Sequence, residues 1–309
     1  MPREIRKLDA DLFHSPNYLI PYLAFPRLSA RRTKCLVNIH DVIPLVVEDY
    51  APHSLTSRFR GVFRFCMRQS VRRSNFVITG SAVSRQDLVS SLSLDQRTAE
   101  KIRVIFDGAG GQFGSLAHAP IPTDTTSVRT LLYVGRMDPY KNVTGLVEAL
   151  ALAQKRLSFP LRLVVCGPTD DRYPEAREAA ERFGVSDSVQ FTGFVSEQEL
   201  LEHYRTADLL THPSRYEGFG LQLVEAMRSG LPVCCTDGGS QPEIVGDAAY
   251  VVKAGDVLAM ANAISEVLSS PKTMETMKVA GLERAKLFDW AVCAEKTAEL
   301  YRAALAQPS

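Results

Sequence analysis

The chain has no Cys-x-x-Cys pair, and no histidine pair completes a zinc spacing with its six cysteines, 35, 66, 166, 234, 235 and 293. That excludes the common zinc and dithiol motifs. Cys166, Cys234 and Cys235 lie in apolar, strand-like runs, where cysteine behaves as a small hydrophobe. Such usage fits a reducing cytosol. No apolar run approaches the ~18 residues of a membrane-spanning helix. The start, M-P-R-E-I-R-K-L-D, lacks the apolar core of a signal peptide. Residues 108–114 are glycine-rich but match neither G-x-G-x-x-G nor the P-loop pattern. No internal repeat or low-complexity segment occurs. A net charge of +1 leaves no nucleic-acid footprint. Asp9-Ala10-Asp11 is a literal D-x-D, but three-residue matches are cheap, and no metal site is expected.

What is present is length for two domains, 309 residues with 45% hydrophobic and 23% charged content, ordinary for a globular protein. Charge is unevenly spread. Residues 1–128 hold 17 Lys/Arg against 11 Asp/Glu, and the remainder 19 against 24. Opposite signs favour two halves that face each other, or a basic half that meets an anionic surface. From Tyr50 to Gln86 there are seven arginines and no acid. Arg64, Arg68 and Arg72 are four apart, on one helix face, with Val62, Phe65, Cys66 and Met67 as apolar surface.

Apolar stretches at 12–23 and 35–47, broken by proline, predict short strands and loops. Residues 76–79 predict a strand, followed by a Ser-rich turn and a helix from Ser84; residues 103–106 predict another strand. Residues 115–128 read as a linker. Beyond them β and α segments alternate. Strands are predicted at 131–134, 161–166, 189–192, 208–211, 232–235 and 249–252. Helices are predicted at 143–157, 173–183, 196–206, 219–229 and 255–269. Two closing helices fill 273–306 around Asp289 and Trp290. The alternation predicts a parallel sheet with helices on both faces.

Two stretches carry chemistry. Residues 215–226 read R-Y-E-G-F-G-L-Q-L-V-E-A. Gly218 and Gly220 let backbone approach a ligand closely, and the apolar run after them starts a helix whose unpaired N–H groups suit an anion. Glu217 and Glu225 flank that start. A ligand with a central phosphate and hydroxyls at both ends, such as a nucleotide sugar, fits the pattern. An acidic loop before an ordinary amphipathic helix is the bland alternative. Residues 131–142 read L-L-Y-V-G-R-M-D-P-Y-K-N. Gly135 ends the strand, and Arg136 and Lys141 follow on the loop, where open α/β sheets bind ligands. Both are placed for a diphosphate; the bland alternative is two solvated cations. His14 and His212, beside Ser-Pro and Pro, are read as structural.

These residues resemble glycosyltransferase family 4, retaining enzymes of the GT-B fold with two Rossmann-like domains facing across a cleft. The resemblance rests on G-R-x4-K-N at 135–142, the Glu217/Glu225 pair, G-L-P-V at 230–233 and P-E-I-V-G-D-A-A at 242–249. Weaker matches extend it over nearly the whole chain: F-H-S-P-N-Y at 13–18, N-I-H-D-V-I-P at 38–44, G-S-A-V-S-R-Q-D-L at 80–88 and R-V-I-F-D-G at 103–108. It implies an α/β protein with an acceptor-side domain at 1–120, a donor-binding domain at 121–290 and a closing helix at 291–309. It implies transfer of a hexose from a nucleoside diphosphate sugar to a hydroxyl of a glycan or lipid-linked acceptor, as in polysaccharide or lipopolysaccharide assembly. Mannose from GDP-mannose is favoured, because 13–18, 40–44 and 242–249 look like bacterial mannosyltransferases. The donor is a co-substrate, and no other cofactor is implied.

By the same resemblance, Gly135, Arg136 and Lys141 hold the diphosphate and Glu225 the ribose diol. Glu217 contacts the sugar or faces the reacting carbon, with Gly218, Phe219 and Gly220 around the donor. The base lies against backbone near Gly167 and the Gly193–Phe194 loop. His40 and Asp41 stand near sugar and acceptor. Only 39 residues precede His40, so the N-terminal half is expected to lack two or three strands, leaving a sheet edge open to an oligomer or partner chain. That opens a second reading, a non-catalytic or partner-dependent nucleotide-sugar-binding chain. Phosphorylase chemistry ranks last, since no lysine sits in a setting for pyridoxal phosphate. A cytoplasmic protein is expected, with the arginine stretch in peripheral contact with the anionic inner face of the plasma membrane.

Overall fold

The structure, a computed structural model, describes residues 8–18, 20, 33–114, 119, 124 and 126–307. Most of the expected 115–128 linker, the end of the 12–23 stretch and the first seven residues lie outside them. The chain divides into two compact units: Met1–Glu48 with Pro52–Asp107 and Trp290–Ser309, and Asp49–Ala51 with Gly108–Asp289.

The first unit holds a parallel sheet in the order β1 (Leu12–Ser15), β2 (Lys34–Asn38), β3 (Phe76–Thr79), β4 (Ile102–Val104). Among the described residues, β1 and β4 form its edges. All four residues of β3 are buried, as expected of a strand covered on both faces. Alternation along β2 divides the core. Cys35 and Val37 face one cluster with Met67, Val71 and Leu88, contributed by helices α1 (Arg60–Arg73) and α2 (Ala82–Ser91). Leu36 faces the other with Phe76, Ile78 and Ile105, closed by Ala304, Leu300 and Tyr301 of the last helix, Trp290–Leu305.

Met67, Ser70 and Val71 form the buried face of α1. Val62 and Phe65 face outward, 60% and 59% exposed, as do Leu55 and Phe59 just before the helix. The three arginines spaced four apart do not share one solvated face. Arg64 and Arg72 are exposed, while Arg68 is half-buried and reaches the carbonyl of Ser93.

The second unit holds a six-stranded parallel sheet with strands β5 (Arg129–Val134), β6 (Leu161–Cys166), β7 (Val189–Gly193), β8 (Leu209–His212), β9 (Val233–Thr236) and β10 (Tyr250–Val252). Their order is β10-β9-β8-β5-β6-β7. The chain starts in the middle, winds out through β6 and β7, returns past β5 to β8 and winds out the other way. Strand order reverses between β5 and β8, the place where such sheets open a crevice at their carboxyl ends. Helices α3 (Val143–Gln154), α4 (Glu175–Arg182), α5 (Glu197–Thr206), α6 (Leu221–Arg228), α7 (Val257–Leu268) and α8 (Pro271–Ala285) cover it. The core is built where α3 and α7 lay Leu146, Val147, Leu150, Ile264 and Val267 against Leu131, Leu163 and Val165 of the sheet. α5 opens on a capping box, Ser196 with Glu199, which satisfies two orphan N–H groups at once.

Candidate active site at the strand-order reversal

β5 and β8, the two strands at the reversal, deliver the candidate residues. β5 runs out at Gly135, and the chain passes Arg136 to a tight turn at Pro139–Lys141. β8 ends at His212, five residues before Glu217. Backbone ties these loops, the Arg215 N–H donating to the Tyr140 carbonyl at 2.8 Å. Lys141 Nζ then donates to both Glu217 oxygens, at 2.7 and 2.9 Å. His212 Nε2 lies 3.0 Å from Oε1 of the same carboxylate. Arg136 is paired too, Nε donating to Asp138 Oδ2 at 2.7 Å and Nη2 to Oδ1 at 3.3 Å.

Glu217 is 5% exposed. Burial alone pushes its carboxyl up, but the Lys141 ammonium and His212 outweigh it, bringing it from 4.5 to about 2. It is therefore ionised at neutral pH, next to its cation. Its backbone is held as firmly: the Ser240 N–H and hydroxyl donate to its carbonyl at 2.9 and 3.1 Å. Gly239 makes that approach possible. It has φ +68, and a Cβ there would sit 2.3 Å from the Glu217 oxygen.

Glu225 sits a little over one turn into α6. Its Oε2 accepts the Tyr204 hydroxyl at 2.6 Å. Tyr204, from α5, is fully buried and meets Phe113 edge-to-face. Burial raises the Glu225 carboxyl pKa, opposed by that hydrogen bond. The loops after β5, β6 and β7 form a staircase, Gly135 N–H to Cys166 O at 2.9 Å and Gly167 N–H to Gly193 O at 3.1 Å. A Cβ on Gly167 would fall 2.0 Å from the Gly135 oxygen, so no side chain fits. Phe194, after β7, is 88% exposed. Phe219 is buried and edge-on to Phe288, and Gly220 caps α6 with φ +89. A cavity of about 220 Å³ opens beside Arg136, bounded by Asp138, Pro168, Asp170, Arg172 and Tyr173.

The first unit carries the other two candidates after β2. His40 Nδ1 lies 3.7 Å from Asp107, not from its neighbour Asp41. The Asp107 carboxylate raises the imidazole pKa against the opposing effect of burial. Asp41 accepts the Ile43 N–H at 3.0 Å.

The second unit thus brings Arg136, Lys141 and Glu217 to one reversal point and gives Glu225 a fixed partner on the preceding helix. Sequence reasoning missed those partners: Asp138, Tyr204, His212, Ser240 and, in the first unit, Asp107. The sequence reads His212 as structural; its one signal is H-P-S five residues before Glu217. Asp107 lay unassigned within R-V-I-F-D-G.

Comparison with known proteins agrees with this architecture. The family described as Glycosyl transferases group 1 matches residues 121–284, more than half of the chain, and Glycosyltransferase Family 4 matches residues 1–109. O-antigen chain mannosyltransferase B of Escherichia coli is 28% identical over 296 residues, covering 94% of this chain and 74% of that protein. D-inositol 3-phosphate glycosyltransferase of Corynebacterium glutamicum (strain R) is 28% identical over 319 residues, covering 97% and 74%. Among solved structures, sucrose-phosphate synthase from Thermosynechococcus elongatus superposes with a TM-score of 0.77 at 24% identity, covering 98% of this chain and 76% of that one. Two parallel α/β sheets, the charged cluster where strand order reverses and matches along both halves lead to one conclusion: the chain belongs to glycosyltransferase family 4, with the GT-B fold.

Proposed function

We propose that this glycosyltransferase moves a hexose, mannose favoured, from a nucleoside diphosphate sugar to a hydroxyl of a glycan or lipid-linked acceptor, with retention at the anomeric carbon. The observation that carries this is the Lys141–Glu217–His212 cluster at the strand reversal, with Arg136 on the same strand-end loop as Lys141. When the bond from sugar carbon to diphosphate oxygen breaks, negative charge grows on the leaving group. Two cations fixed on a strand-end loop stabilise that charge, so the chemistry is proposed to run without a divalent ion. Glu217 addresses the sugar and Glu225 the ribose diol. Gly167, Gly193 and Phe194 border the base, and Gly218, Phe219 and Gly220 the donor's flank. His40, made more basic by Asp107, is suited to hydrogen-bond a sugar hydroxyl or accept a proton; Asp41 stands next to it. GDP-mannose is the favoured donor, since the Escherichia coli relative is named a mannosyltransferase.

The test is thermal stabilisation against a panel of nucleotide sugars, with chelator present. A ligand at 100 times its Kd adds about 2.7 kcal/mol. GDP-mannose should stabilise most. In turnover, Arg136→Ala or Lys141→Ala should cost about 10²–10³-fold, whereas Glu225→Ala should chiefly weaken nucleoside diphosphate binding. An active double variant, or no stabilisation by any donor, overturns the reading.

A membrane-facing role for the first unit is part of the proposal. Leu55, Phe59, Val62 and Phe65 are 74%, 52%, 60% and 59% exposed, interleaved with Arg58 and Arg64. Apolar side chains enter an interface while arginines meet anionic headgroups. Among the described residues no helix is long and apolar enough to cross a membrane. The proposed location is the cytoplasmic face of the plasma membrane. Any partner chain is expected at the edge strand β1.

A further inference from the structure

We propose that His212 is a positioning residue, holding the Glu217 carboxylate at the sugar when Lys141 turns to the donor's diphosphate. The proposal rests on the donor-site reading above.

Lys141 now touches both Glu217 oxygens, at 2.7 and 2.9 Å. A diphosphate at that ammonium competes for the same three N–H groups. As Lys141 swings toward it, Glu217 loses a partner while remaining buried, which is costly for a charge. His212 is the contact that does not move. Its side chain is 1% exposed, it ends a central strand, and its ring stacks on Tyr133 with centroids 6.3 Å apart and planes 18° apart. Its Nε2 faces Oε1 at 3.0 Å, with the Ser214 hydroxyl 3.4 Å away.

Protonation follows from the same contacts. Glu217 is ionised, so the nitrogen facing it must carry the proton. Nδ1 is buried with no hydrogen-bond partner among the described residues. His212 therefore donates to Glu217 through Nε2. It fixes Oε1, and Oε2, released by Lys141, is left to accept a sugar hydroxyl. Donor arrival and exposure of the sugar-binding oxygen become one event.

The experiment compares wild type, His212→Phe and His212→Gln. Phenylalanine keeps the ring and its stacking but donates nothing; glutamine restores an N–H. Binding of UDP and GDP is read by thermal shift, and kcat and KM with the sugar donor that stabilises wild type most. His212→Phe should bind diphosphate like wild type yet lose about 10²-fold in kcat, the scale of a 1 Å misplacement, with His212→Gln largely rescuing it. Nitrogen-15 spectra of the wild type should show the Nε2–H tautomer, its signal persisting when diphosphate is added. Unchanged kcat in His212→Phe, or diphosphate binding lost in step with activity, overturns the proposal. So does an Nδ1–H tautomer, whether or not the variants fold. If wild type binds neither UDP nor GDP, the donor-site reading falls and this proposal with it.

Discussion

At the residue scale, the two glutamates eight positions apart have opposite electrostatic settings. Glu217 has a cation in contact and titrates near 2; Glu225 has a tyrosine and is shifted upward by burial. The first shift makes a prediction with a definite sign. Ionised Glu217 contributes stability above its ordinary value of 4.5, and that contribution drains as pH falls from about 4.5 toward 2. Glu217→Gln should flatten the pH dependence of unfolding free energy across that window in denaturant titrations. An equally steep acid limb in the variant would remove Glu217 from the account. Arg136, Lys141, Glu217 and Glu225 were legible in the sequence because each lies at fixed spacing within a short motif. Their partners were not, because they arrive through the fold: Lys141 meets Glu217 across 76 positions and Tyr204 meets Glu225 across 21. His212 carries only a weak local signal, H-P-S five residues before Glu217.

At the element scale, strand and helix positions in the second half followed closely from the sequence. Buried runs such as L-R-L-V-V-C at β6 have one stable use between two layers of helices. Strand order was not legible, since the same alternation fits several orders and long-range pairing decides among them. Nor was the orientation of α1. Val62, Phe65, Cys66 and Met67 are all apolar, but two helix faces compete, and packing against β2 and α2 puts Met67 and Val71 inside and leaves Val62 and Phe65 out. The loop staircase after β5, β6 and β7 yields a prediction of its own. Gly167→Ala puts a methyl against the Gly135 carbonyl at φ +150, so it should destabilise the protein by about 1–3 kcal/mol in urea unfolding. Nucleotide binding should weaken with it. A variant as stable as wild type would mean that these loops are free to part.

At the scale of the molecule, the basic and apolar surface around α1 predicts an observable partition. The protein should float with liposomes containing anionic phosphatidylglycerol and stay behind with neutral ones. Arg64→Gln with Phe65→Ser should abolish flotation without lowering the melting temperature, since both side chains are exposed. Flotation indifferent to lipid charge would remove the membrane reading. A separate consequence follows from the last helix, Trp290–Leu305, which returns to cover Leu36, Phe76 and Ile78 on the first unit's sheet. His14 and Tyr301 bond across 287 positions, Asn75 and Gln307 across 232. On a ribosome, the unit begun first is therefore finished last. Its sheet waits with one face uncovered while the inserted second unit, contiguous from Gly108 to Asp289 apart from Asp49–Ala51, emerges and folds. Nascent chains stalled after Asp289 should resist protease within the second unit yet be cut within β2 and β3, and protection there should come only once the final helix has cleared the exit tunnel.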